Sequence, residues 1–129
     1  MLKDLGLALE PLKFMEFVLA GTTQGALLSR AGACIVNVPA PERYAVHKLV
    51  VWAERPPAER VKAAKDLAQA AALAQWHLRN EQAGRFNDAW RDALGRGAGW
   101  AKRAGRGLRA LLALRPDLET DALWGAKKR

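Results

Sequence analysis

The pattern of apolar and polar positions changes character near residue 40. Upstream, Lys13-Phe14-Met15-Glu16-Phe17-Val18-Leu19 alternates and then runs apolar. Its aromatic and β-branched content predicts a strand. Gly21-Thr22-Thr23 reads as a turn into a short helix over residues 24–30, with Thr22 or Thr23 as N-cap and Gly32 as the stop. Cys34-Ile35-Val36-Asn37-Val38 predicts a second short strand, apolar enough to be covered on both faces. Residues 1–12 are weakly patterned and interrupted by Pro11.

Downstream the period is helical. Pro41 suits a first helical turn, where its missing N–H is no loss. Val46, Leu49, Val50 and Ala53 then recur at i, i+3, i+4 and i+7. Pro56-Pro57 ends this helix, because a residue before proline is pushed out of the α region. A second helix is predicted over 58–79. Leu67, Ala70, Ala71, Ala74 and Leu78 form its apolar stripe, and Lys62, Lys65, Asp66 and Gln69 a polar one. Gly84 precedes a helix over 85–94, and the loop Gly95-Arg96-Gly97-Ala98-Gly99 leads into a last one over 100–114, ended by Pro116. The expected fold class is α+β, mostly helical: a short strand–helix–strand sheet edge, then a four-helix subdomain. The expected divisions are 1–40 for the sheet region, 41–116 for the helices, and 117–129 for a flexible basic tail. Two strands make a weak sheet, so a partner chain or a second copy completing it is expected.

Composition narrows this picture. A chain of 129 residues, 50% hydrophobic, is one small domain with enough apolar material for a core. Cys34 is the single cysteine. It cannot form an internal disulfide, which points to a reducing compartment. It reads as a small buried hydrophobe, with no activating partner nearby in sequence for a catalytic thiol. Met1-Leu2-Lys3-Asp4 lacks the features of a signal peptide, and no apolar run approaches the roughly 20 residues that span a bilayer. A cytoplasmic protein without membrane contact is expected. The net charge of +8 is concentrated late in the chain. Arg96, Lys102, Arg103, Arg106, Arg109 and Arg115 follow one another with no acidic residue between them. Such a field attracts nucleic acid, phosphates or an acidic partner.

Candidate chemistry lies on the first two long helices. His47 and Lys48 flank the Val46/Leu49/Val50 stripe. His47 is either a partly buried, hydrogen-bonded histidine or a base, ligand or substrate contact. Lys48 either snorkels to water or meets a phosphate as a point charge. Lys65-Asp66, with Gln69 one turn on, is either a solvated face with local charge pairs or an element turned toward the first helix to orient Lys48 or touch a nucleotide. In the last helix Lys102, Arg106 and Arg109 share one face. With Arg103 they form an alternative site for nucleic acid or another anion. Of the five tryptophans, Trp100 precedes Lys102-Arg103 and is the candidate for base stacking; the others read as packing. His77 is the only other histidine, no Cys/His cluster has zinc spacing, and no Walker loop or Asp-x-Asp occurs, so no metal ligand or catalytic residue is assigned.

The run Val36-Asn37-Val38-Pro39-Ala40-Pro41-Glu42-Arg43-Tyr44-Ala45-Val46-His47-Lys48-Leu49, with Lys65-Asp66-Leu67-Ala68-Gln69-Ala70, resembles an uncharacterised bacterial branch of the nucleotidyltransferase (DNA polymerase β-like) superfamily. Pro11 to Leu19 upstream and Arg96-Gly97 and Trp100 downstream also fit, so the likeness covers about residues 11–115. The resemblance implies transfer of a nucleotidyl group from an NTP to an acceptor hydroxyl, with Mg²⁺ held by paired carboxylates in the complete enzyme. It implies nucleotide contacts at His47, Lys48, Lys65 and Asp66. It also implies that residues 1–40 are a partial nucleotidyltransferase-like sheet region. The family's Gly-rich turn and carboxylate pair have no counterpart here, so the chain is expected to be the C-terminal portion only, to bind no Mg²⁺ alone, and to be inactive.

Overall fold

The computed structural model describes residues 14–126. The short helix α1 (Met15–Leu19) is followed by strands β1 (Thr22–Ser29) and β2 (Gly32–Pro39). Then come the helices α2 (Pro41–Glu54), α3 (Arg60–Arg79), α4 (Ala83–Gly95), α5 (Ala98–Leu114) and α6 (Asp121–Trp124). Single 3₁₀ turns at Pro57–Glu59 and Pro116–Leu118 link α2 to α3 and α5 to α6. The class is α+β and mostly helical, as expected.

Two upstream elements differ from the sequence reading. Residues 15–19 form a helix rather than a strand, because Phe17 and Val18, adjacent in sequence, are both buried. A strand would send neighbouring side chains to opposite faces. Residues 22–29 form a strand rather than a helix. A seven-residue helix is a poor nucleus without tertiary support, whereas pairing with the β-branched run 35–38 satisfies the backbone directly. The order is therefore helix–strand–strand, and the strands form an antiparallel hairpin with Ser29 opposite Gly32. Its two-residue turn, Arg30-Ala31, is closed by the Ala31 N–H donating to Ser29 Oγ at 3.2 Å. Gly32, read as a helix stop, is the turn's exit at φ +138°, a backbone that side chains disfavour. The second strand is not covered on both faces. Cys34 is exposed rather than buried, and Leu27, Leu28 and Ile35 are exposed beside it.

The helices fall where the periodicity put them. Helix α2 begins at Pro41 and stops at Arg55, held extended at ψ 128° ahead of Pro56. It is the central element: Ala45, Val46, Leu49 and Val50 are buried between α3 and α5. On α5 the contact point is Gly107, where a Cβ would stand 2.8 Å from both the carbonyl carbon and the Cβ of Leu49. Only glycine allows this approach. Phe86, Trp90 and Leu111 close the core from α4 and α5. Of the expected tail, residues 117–126 pack onto this core with Leu118 and Leu123 buried, and 127–129 lie outside the described residues.

Helix α1 is clasped to the bundle by charge. Arg43 donates to the Phe17 carbonyl at 3.2 Å, and both Arg43 and Arg96 lie over the Phe17 ring. Asp92 pairs with both arginines, at 2.8 and 3.1 Å. Burial pushes the Asp92 carboxyl up, but Arg96 and Arg43 outweigh it and hold the group below the usual carboxylate value.

Candidate functional site

Helices α2 and α3 share one buried carboxylate. Asp66 is 2% exposed, accepts from Lys48 Nζ at 3.2 Å, and accepts from Arg55 Nε at 2.9 Å and Nη2 at 3.5 Å. Arg55 also pairs with Glu59 at 3.0 Å, and Glu59 with Lys62 at 3.4 Å. The Asp66 and Glu59 carboxylates hold the Arg55 guanidinium above its ordinary value, and Arg55 holds Glu59 below its own. The polar stripe assigned to α3 is thus split: Lys62, Lys65 and Gln69 face solvent, while Asp66 turns inward with Ala70, Ala74 and His77.

Lys48 and Arg55 open onto a groove of about 320 Å³ between α1, α2 and the turn before α3, lined also by Phe14, His47, Val51, Glu54 and Glu59. The Lys48 ammonium also lies 5.0 Å from the centre of the Tyr44 ring, whose hydroxyl is 3.4 Å from Gln69 Oε1. Of the four residues expected at a nucleotide, three come together: Lys48 and Asp66 in contact, His47 beside them on the groove wall. Lys65 is exposed on α3 and does not line the groove.

The alternative anion site divides similarly. Arg103 is held by Glu54 and lies over the Phe14 ring at 5.5 Å. Lys102, Arg106 and Arg109 remain on the outer face of α5, exposed. Trp100 is engaged in packing, with Phe14 at 5.0 Å and Phe17 at 5.4 Å between ring centres.

A second buried polar pair was not picked out from the sequence. His77, 1% exposed, has Nδ1 2.6 Å from the Leu73 carbonyl and Nε2 3.2 Å from Glu42 Oε2. Arg85 reaches the other Glu42 oxygen at 3.3 Å. Burial pushes the Glu42 carboxyl up, but its backbone hydrogen bond, His77 and Arg85 together hold it below the usual value. The signal was the helical period itself, since Glu42 is in register with Ala45, Val46 and Leu49, and Asp66 and His77 with Ala70 and Ala74. Applied to polar residues, the same spacing marks all three as inward. Arg55 carried no such signal, because it lies just beyond the helix end.

Residues 1–95 match the nucleotidyltransferase family, which is most of the chain. The chain belongs to that family. No curated protein and no solved structure matches it.

Mg²⁺ chemistry is general among nucleotidyltransferases, so the fit of the residues to that ion matters. Among the described residues no three His, Cys, Asp or Glu side chains group where a metal ion could be held. The carboxylates lining the groove are Glu54, paired with Arg103, and Glu59, paired with Arg55 and Lys62, while Asp66 behind it is engaged by Lys48 and Arg55. Asp117, Glu119 and Asp121 alternate, but on a 3₁₀ turn and a helix start rather than a strand, with Asp117 paired to Arg115 at 2.7 Å. The described residues do not fit Mg²⁺. Among them, no helix is long and apolar enough to cross a membrane.

Proposed function

We propose that this chain provides the cationic, phosphate-binding side of a nucleotidyltransferase site, with the α1–α2 groove receiving an NTP. The observation that carries the reading is a half-buried lysine on the groove wall whose ammonium is held by a buried carboxylate. A lysine needed only for solubility gains nothing from such a partner; one that meets a polyanion at a fixed point does. In this reading Lys48 contacts a phosphate oxygen and His47 forms a neighbouring wall contact. Asp66 is a positioning residue that sets Lys48 and Arg55. Lys65, exposed on the next helix, adds long-range attraction only.

In nucleotidyl transfer an acceptor hydroxyl attacks the α-phosphate, a new P–O bond forms, and pyrophosphate leaves. Negative charge accumulates on that leaving group, and a fixed ammonium beside it stabilises the transition state more than the ground state. The carboxylates that would bind Mg²⁺ are not among the residues described, so no step through a metal is assigned here. We propose that these residues by themselves bind an NTP without transferring it. Isothermal calorimetry with ATP and with CTP in Mg²⁺ tests this. The wild-type chain should give measurable heat, and Lys48→Ala at least a tenfold weaker affinity. Equal heats from both proteins would remove Lys48 from the site.

The hairpin supports a second element of the proposal, a partner. Among the described residues the β1–β2 sheet has two strands, and Leu28 and Ile35 are 75% and 74% exposed on it. Isolated hairpins are marginal in water, and unpaired apolar edges recruit strands. A second copy of this chain is the simplest supplier. Light scattering that shows a monomer at tens of micromolar would exclude it.

A further inference from the structure

We infer that the outer face of α5, together with Trp52 of α2, is a docking surface for single-stranded nucleic acid. Lys102, Arg106 and Arg109 fall at i, i+4 and i+7, within about 40° of one line along the helix. All three are exposed, and among the described residues none is ion-paired. That sets them apart from their neighbours. Arg43, Arg55, Arg85, Arg96, Arg103 and Arg115 are each held by a carboxylate. Six of the twelve described arginines are neutralised in this way, and the row left open on α5 concentrates positive charge along one face of a single helix.

The row is not featureless. Arg106 and Arg109 border a shallow depression whose other walls are Trp52 and Ala110, with no carboxylate in the lining. Trp52 is only partly buried. Cations along a line with an aromatic beside them are the combination that tracks a sugar-phosphate backbone and receives an unpaired base. Along the helix the three charges span about 10 Å, enough for a few nucleotides of one strand. The inner face of α5 is packed, with Ala104, Gly107 and Leu111 buried, so the helix offers a ligand only its outer, basic face. The family match ends at residue 95, before this face begins. The inference is therefore independent of the groove reading.

The test is fluorescence anisotropy with a labelled 12-nucleotide poly-U RNA and poly-dT DNA, on the full chain. Binding should be detectable at 25 mM salt and weaken with a log–log slope near −2, as expected for about three phosphate contacts to a single strand. The triple variant Lys102→Ala/Arg106→Ala/Arg109→Ala should bind at least tenfold more weakly and lose most of that slope. All three side chains are exposed, so the fold should be unaffected, and an unchanged circular dichroism melt checks this. Trp52→Phe should lower affinity severalfold at unchanged slope, while Lys48→Ala should leave binding intact. No binding at 25 mM salt overturns the inference. So does a triple variant that binds as wild type, or competition by poly-glutamate as effective as by unlabelled poly-U, which would mark a surface for acidic protein instead.

Discussion

Replacing Asp66 by asparagine removes one charge and almost no volume from the centre of the charge network. The carboxylate is 2% exposed, with Lys48 at 3.2 Å and Arg55 at 2.9 Å. Removing one partner from a fully buried ion pair costs roughly 3–5 kcal/mol, whereas an exposed pair contributes about 0.2–1 kcal/mol. The two cations left behind are 18% and 23% exposed, so each can turn toward water and recover part of its hydration. The expected loss is therefore intermediate, about 2 kcal/mol. In a chain of this size that lowers Tm by roughly 6–10 °C. Lys48→Met alone should cost about 1 kcal/mol or less, because Arg55 still satisfies the carboxylate. Urea unfolding followed at 222 nm gives both values, and the double variant gives their coupling. A loss below about 0.5 kcal/mol for Asp66→Asn would mean that the carboxylate does not organise the network, and Asp66 would lose its positioning role.

Three further outcomes follow from other parts of the structure. Gly107→Ala should destabilise by about 3 kcal/mol because its methyl meets the Leu49 backbone, while Gly84→Ala, open on all sides on α4, should be neutral or stabilising; similar effects from the two would refute the close α2–α5 approach. Glu42, Glu59, Asp92 and Asp117 all have folded values lowered from the ordinary carboxylate. The stability they contribute is present above that value, 4.5 for Glu42, and lost as pH falls through the lower folded one. Thermal melts from pH 7 to 3 should thus fall on the acid side, less steeply in Glu42→Gln, and an unchanged acid limb in that variant would refute the buried Glu42 pairing. Cys34 should react with Ellman's reagent in native buffer within minutes at one thiol per chain; protection until urea is added would mean that the hairpin is covered.

The helical half of the fold was legible because its signals are local. Pro41, Pro56-Pro57 and Pro116 bracket the helices, and the 3.6-residue stripes give their inward faces. The first forty residues were not legible in the same way. Phe17 is buried through contacts with Arg43, Arg96 and Trp100, far away in sequence, and no local pattern encodes them. The hairpin was obscured because its apolar content implies covering layers that the described residues do not supply. At the site, sequence isolated Lys48 and Asp66 as unusual, and the structure joins them. Arg55, placed by the end of a helix rather than by its period, became visible only in three dimensions.

The central claim is that the α1–α2 groove holds a nucleotide through Lys48, and a ¹H–¹⁵N correlation spectrum titrated with ATP to several millimolar in Mg²⁺ tests it most directly. The account predicts saturable shifts at the amides of His47, Lys48 and Arg55, lost in Lys48→Ala. Shifts confined to residues 102–109, or no shifts at all, would contradict it.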